Sequence, residues 1–338
     1  MNRVVFGALL AFTALSSCKP SVGAPISSIS GPAILAIKGV PAEVDPKNAA
    51  TIVRYEALAV DTAGRVPNAD IPSSLLWSIC DQPKPPTETN SVSTVCLDQD
   101  YLPGTAGDSP STYSAPVPSE SCKFFGPEIP PAAAGEPATR PRDPDVTGGY
   151  YLPVRTSLTI PEDLRRVGMA TEDSLVAFQL QRIYCGLAKA PIVNIIDYGK
   201  NYKLNNNPVL NPLTCQVAGS DAVPLSRVEA GGAPKEIPAG QAVSLVASWP
   251  VESVENFPAW DVLKQDLLYH NEAMRVSWYA TAGSFEHDVT GRSESESETS
   301  TSNTWTPPDG PGPVHLWVVL HDSRGGTDFA GYDFDVTP

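Results

Sequence analysis

Val314-His315-Leu316-Trp317-Val318-Val319-Leu320-His321, then Asp322-Ser323-Arg324-Gly325-Gly326, then Thr327 to Val336, is the run from which the architecture of this chain is read. Val314, Leu316, Val318 and Leu320 alternate onto one face, the period of a strand with one face in a core. Asp322 to Gly326 supplies a turn, and the chain resumes with Ala330, Tyr332, Phe334 and Val336 inward and Asp333 and Asp335 outward. The pattern predicts an antiparallel hairpin. Upstream, Val243, Leu245, Ala247 and Trp249 alternate with Ser244, Val246 and Ser248. Arg275 to Ala280 reads as a strand centred on Trp278, and Asn303 to Thr306 as another, stopped by Pro307-Pro308. Several short strands around a central tryptophan, closed by a hairpin, predict a Greek-key sandwich over 219–338.

Residues 33–218 repeat that order more loosely. Ala33 to Ile37, Thr51 to Val60, Leu75 to Cys80 around Trp77, Tyr150 to Ile160 and Ser174 to Cys185 read as strands, and Asn207 to Cys215 is expected to close the sheet. The fold class expected is therefore all-β: two immunoglobulin-like Greek-key β-sandwich domains in series. Trp77 and Trp278 are their points of correspondence, and both read as core packing rather than ligand stacking. A Pro-, Ser- and Gly-rich insertion at 81–148, holding Cys96 and Cys122, interrupts the first sandwich, and segments of that length tend to be functional or disordered. Short helices are expected over Trp260 to Ala273, where Val262, Leu263, Leu267 and Leu268 have near-helical spacing, and after Ile160, with Pro161 in the first turn.

Composition excludes some functions. The chain of 338 residues carries 23 Lys and Arg against 38 Asp and Glu, a net charge of −15, with 35 Pro and 25 Gly. Such a balance repels phosphate backbones and anionic headgroups, and no basic cluster opposes it, so nucleic acid is not an expected partner. The six cysteines fall before residue 220. Setting Cys18 aside, Cys80, Cys96, Cys122, Cys185 and Cys215 suit two bridges and one free thiol in an oxidising compartment. Sequence alone does not fix the pairing; the favoured arrangement joins Cys80 to Cys185, at the ends of neighbouring strands, and Cys96 to Cys122 across the insertion. No Cys-x-x-Cys spacing points to zinc.

At the N-terminus Met1-Asn2-Arg3 precedes a mostly apolar run from Val4 to Leu15, too short to span a bilayer as a permanent helix of about 20 residues. Leu15-Ser16-Ser17-Cys18 resembles the signal by which bacteria lipidate a cysteine, so 1–17 is expected to be a cleaved signal and Cys18 the lipidation site. The resemblance implies several acyl chains and stable membrane anchoring. Lys19, where an aspartate would favour inner-membrane retention, resembles the outer-membrane class, and the lipidated end with 19–32 is expected to be a flexible tether. Together with the tandem strands and the Leu320 to Thr327 turn, the chain resembles surface or outer-membrane lipoproteins of Gram-negative bacteria with tandem immunoglobulin-like or PKD-like sandwich domains. Proteins of that kind serve in adhesion, glycan binding, spacing or envelope assembly, so the resemblance leaves the ligand open.

Catalytic and metal chemistry find little in the sequence. His270, His287, His315 and His321 lack metal-site spacing, and His315 and His321, six residues apart on one strand, lie about 20 Å apart. There is no Gly-x-Ser-x-Gly elbow and no Gly-rich phosphate loop. Calcium could be met at Asp322 with Asp328 or at Asp98 with Asp100, but neither place has the acidic density of an EF-hand loop. No cofactor and no catalytic or metal-ligating residue is expected. Arg292 to Ser302 reads as a solvated Ser/Glu loop that keeps an edge from pairing. The chain is thus expected to be a non-enzymatic, lipid-anchored outer-membrane protein, facing the periplasm or the cell surface, that presents loops, chiefly the insertion, to an envelope protein partner. The alternative is a surface glycan-binding or adhesive module using Tyr101, Tyr113, Phe124 or Phe125.

Overall fold

A computed structural model describes residues 25–48, 51–71, 74–84, 91–98, 100–127, 149–162, 174–188 and 190–338. Cys18 and the signal lie outside these residues, as does most of the helix expected after Ile160. The described chain is nearly all β. The first sandwich comprises β1 (Ala33–Val40), β2 (Glu43–Val44), β3 (Ile52–Asp61), β4 (Gly64–Arg65), β5 (Leu76–Ile79), β6 (Thr105–Ala106), β7 (Thr112–Pro116), β8 (Gly149–Thr159) and β9 (Ser174–Tyr184), with a short helix α1 (Ser121–Phe125). One sheet has β3 antiparallel to β1, β4 and β7; the other runs β2-β9-β8-β5-β6. Tyr55, Ala57, Trp77, Leu152, Val154 and Ile183 meet between them, with Trp77 fully buried.

A helix α2 (Ile192–Asn201) then leads into the second unit: β10 (Thr214–Val217), β11 (Val223–Pro224), β12 (Lys235–Pro238), β13 (Val243–Ser248), β14 (Asn256–Asp261), β15 (Asp266–Asn271), β16 (Met274–Ala280), β17 (Ser284–Phe285), β18 (Val289–Arg292), β19 (Ser300–Thr306), β20 (Gly312–Asp322) and β21 (Thr327–Thr337). Its sheets run β11-β10-β13-β19-β17 and β12-β21-β20-β16-β18. The alternation read in the sequence holds: Val314, Leu316, Val318, Leu320, Ala330, Tyr332, Phe334 and Val336 line the core with Trp249, Trp278 and Trp305.

Several expectations are corrected. The segment that was to close the first sheet belongs to the second sandwich: β10 pairs with β13, and Leu210, Leu213 and Cys215 enter that core, because each finds apolar partners there. The second unit therefore begins well before residue 219. Trp260 to Ala273 forms the β14–β15 hairpin instead of a helix. Asp261 accepts hydrogen bonds from the N–H groups of Leu263 and Lys264 at 2.8 and 2.9 Å, and Gln265 at φ 54° completes the reversal, a turn the side-chain spacing concealed. The end of the Ser/Glu run, from Ser300, belongs to β19, which lies between β13 and β17. The insertion is not wholly outside the sandwich, since β6 and β7 extend one sheet each.

The tether expected to reach residue 32 ends earlier. Ile29 donates to the Ala280 carbonyl at 2.9 Å and Ala280 donates to that of Ser27 at 2.9 Å, so this strap takes the edge of β16 past the end of β18. Ile29 is buried with Ala36, Leu58 and Val60 of the first unit and Trp317, Val319 and Phe329 of the second. Both faces of β20 are thus covered, one by its own core and the other by the neighbouring sandwich. Lys38 to Asp328 at 2.8 Å and Asn207 to the Gly39 carbonyl at 2.7 Å close the polar edge of this junction.

Candidate interaction face

The strand directions define two poles. The strap and Ala280 lie toward one, with the Pro307 to Pro311 loop, because Leu316 pairs with Ala280 near the start of β20. The Asp322 to Gly326 turn lies at the other, where β16 begins at Met274 opposite Asp322 and the β14–β15 hairpin departs. The first sandwich runs the same way: β1 starts beside Ile29 and ends at Val40, near Asn207 and Asp328.

A buried polar lattice occupies the second pole. Arg324 Nε donates to Glu272 at 2.7 Å, its Nη1 to the Lys203 carbonyl at 3.0 Å, and its Nη2 to Glu255. Its ring-facing surface covers Phe257 and Tyr202. Asp322 accepts from the Arg324 and Gly326 N–H groups and the Asn205 amide. Glu43 lies 3.3 Å from Arg182 and accepts from the Tyr202 hydroxyl at 2.7 Å and the Asn205 N–H at 2.9 Å. Burial, with Asp322 beside it, pushes Glu272 up to about 7 against the pull of Arg324, and burial also raises Asp322. These groups tie β2 and β9, the segment after α2, and the loops of the second sandwich into one body. Asp322 and Asp328, weighed above for calcium, hold protein donors: Asp328 accepts from Lys38 and from the Leu210 N–H. Asp98 accepts the Asp100 N–H at 2.8 Å in a turn.

Helix α2 is preceded by Pro191 at its N-cap, and places Ile195, Tyr198 and the capping Tyr202 on one side. Tyr202 stacks between Tyr184 and Tyr198, and the cluster takes in Leu187 together with Trp260 and Leu267 of the hairpin. Asn194 donates to Asp266 at 3.2 Å beside the hairpin turn. The opposite side of α2 is bare: Ile192 is 71% exposed, Val193 67% and Ile196 50%, and Leu263 at the hairpin tip is 95% exposed. This helix was not foreseen in the sequence; Pro191 followed by Ile192, Ile195, Ile196 and Tyr198 is the signal that could have found it.

The cysteines pair as Cys80–Cys96 and Cys122–Cys185, with Cys215 free and buried. The expected partners were exchanged. Cys80 leaves β5 midway along its sheet and meets the short turn at Thr94–Leu97, while β9 continues to the far pole and delivers Cys185 to α1. Of the aromatic residues proposed for a glycan, Tyr113 stacks on Trp77 at 5.8 Å and Phe125 packs on the first core. Phe124 is half-buried and Tyr101 is 49% exposed. The four histidines are dispersed: His270 meets Glu294 at 2.9 Å, His315 meets Asp333 at 2.7 Å, His321 meets Thr327 at 3.0 Å, and His287 is on the surface. Among the described residues there is no group of three or more His, Cys, Asp or Glu able to hold a metal, and no helix long and apolar enough to cross a membrane. Clefts of about 270 and 210 Å³ flank Asn206, below the roughly 300–1,000 Å³ of small-molecule sites.

The fold defines an all-β protein of two joined sandwiches. No sequence-family model and no curated protein matches the chain. Among solved structures it is similar to the adhesin InvE of Yersinia pseudotuberculosis, at 10% identity over 92% of this chain and 61% of that one, TM-score 0.21. It is likewise similar to dimeric latent PorU from Porphyromonas gingivalis, at 9% identity over 92% and 24%, TM-score 0.21. The chain thus spans less than two thirds of either, and likeness at this level has no bearing on function.

Proposed function

We propose that this chain is a lipid-anchored, non-catalytic protein of the outer membrane that presents a fixed face to a protein partner. The observation that carries the reading is the bracing of the insertion: two disulfides and two short strands hold its described parts against a frame whose halves share a buried junction. A prepaid loop conformation lowers the ordering cost of docking. The glycan alternative rests on Tyr101 and the half-buried Phe124, since Tyr113 and Phe125 serve the core. Anchoring is tested by Cys18→Ala. Loss of the acyl mass from the mature chain and release from the membrane fraction are expected; an unchanged mass and fractionation would refute it.

A further inference from the structure

We infer that the exposed aliphatic side of α2 together with the β14–β15 tip is a second docking surface, separate from the insertion, and that its partner is a protein with an apolar contact patch edged by Lys or Arg. The inference goes beyond the proposed function by adding this face, and it rests on the anchored reading. Ile192, Val193 and Ile196 follow one another at helical spacing, so they form one stripe. The Asn194 to Asp266 bond ties α2 to the hairpin, whose Leu263 and Val262 lie within about 20 Å of Asp266 along the chain. Both elements are fixed from beneath by Tyr198, Trp260 and Leu267, so the aliphatic groups are held out in water by a rigid base. Side chains clustered this way on a soluble surface mark a contact site.

The anchoring leaflet is a poor occupant on geometric grounds. From Cys18 to Pro25 the chain can span about 25 Å at most, and it joins the fold at Ala280. The seven residues of β16, about 20 Å, separate that point from Met274, and the hairpin lies beyond. The strap therefore holds the aliphatic face on the pole away from the anchor. The margin of the face is mixed, with Lys200 and Lys264 against Asp197, Asp261 and Asp266, and Lys264 leans on Asp261 at 3.9 Å. The balance is acidic, like the net −15 of the whole chain, and it favours a basic edge on the partner.

The test places a photo-reactive phenylalanine analogue at Leu263 or Ile196 in the full-length chain, in the cells that make it, with Asp309 at the anchor pole as control. The expected result is one protein adduct at Leu263 and Ile196 and none at Asp309. That protein, once purified, should bind the lipidated chain with affinity reduced at least about tenfold by Leu263→Ser with Ile196→Ser. Raising the salt should weaken the wild-type complex. Adducts only with a second copy of this chain, only with phospholipid, equally at Asp309, or absent altogether would each overturn the inference. So would an adduct whose purified protein ignores the two substitutions. Thermal unfolding of the variant, expected to match the wild type, separates lost contact from lost fold. Fractionation of Cys18→Ala run in parallel isolates the anchor: release with adducts intact keeps the docking surface, whereas firm anchoring without adducts removes it alone.

Discussion

Arg324 shows how single residues hold the distal pole. One buried guanidinium binds Glu272, Glu255 and the Lys203 carbonyl, so its loss leaves carboxylates without a counter-charge. Arg324→Leu should cost about 3–5 kcal/mol in urea unfolding, and a cost below about 1 kcal/mol would mean that the lattice is not what joins these elements. His321 gives a second, pH-resolved prediction. Burial first, and the neighbouring Arg275 cation next, bring it down to about 4. In the unfolded chain it takes its proton near 6.5, so between those values the unfolded state binds more protons. His321 should then contribute less stability as pH drops from about 6.5 to about 4, while Glu272, held near 7 in the fold, works the other way between about 4.5 and 7. The difference in unfolding midpoint between the wild type and His321→Gln, followed across that range, isolates the histidine: the wild type should lose stability relative to the variant as pH falls, and a constant difference would place the titrating group elsewhere.

At the scale of elements, the disulfides separate by loop length. Closing 16 residues between Cys80 and Cys96 constrains the unfolded chain less than closing 63 between Cys122 and Cys185. Chain entropy puts the two at about 3 and about 4 kcal/mol, so the Cys122→Ser/Cys185→Ser pair should be the more costly in urea. Peptide mapping without reduction checks the pairing itself, and a fragment joining Cys185 to Cys215 would contradict it. The strands were legible because alternation is a local signal: Val314 to Leu320 and Ala330 to Val336 show their inward faces directly. The pairing of cysteines was not, because it depends on how far each strand runs before the chain turns. The β14–β15 reversal was hidden for a related reason, since Val262, Leu263, Leu267 and Leu268 have helical spacing while the decisive feature is one carboxylate accepting two N–H groups.

For the whole molecule, the apolar side chains Trp317 and Val319 are the informative pair. Alternation assigned Val314, Leu316, Val318 and Leu320 to the core and left Trp317 and Val319 facing out, yet both are buried against Leu58 and Val60. An unbroken apolar run is the mark of a strand covered on both faces, and that run was the available sign of a second sandwich lying on the first. The site was less legible than the fold. The insertion and its cysteines stood out in composition, whereas the aliphatic face needed α2 and the hairpin brought together by the tyrosine stack of Tyr184, Tyr198 and Tyr202. With the strap at one pole and that face at the other, orientation on the membrane is the central claim. It is tested by energy transfer from a dye at Leu263 or at Asp309 of the lipidated chain to acceptor lipids in a bilayer. Weak transfer from Leu263 and strong transfer from Asp309 is the predicted result; equal transfer, or the reverse order, would contradict it.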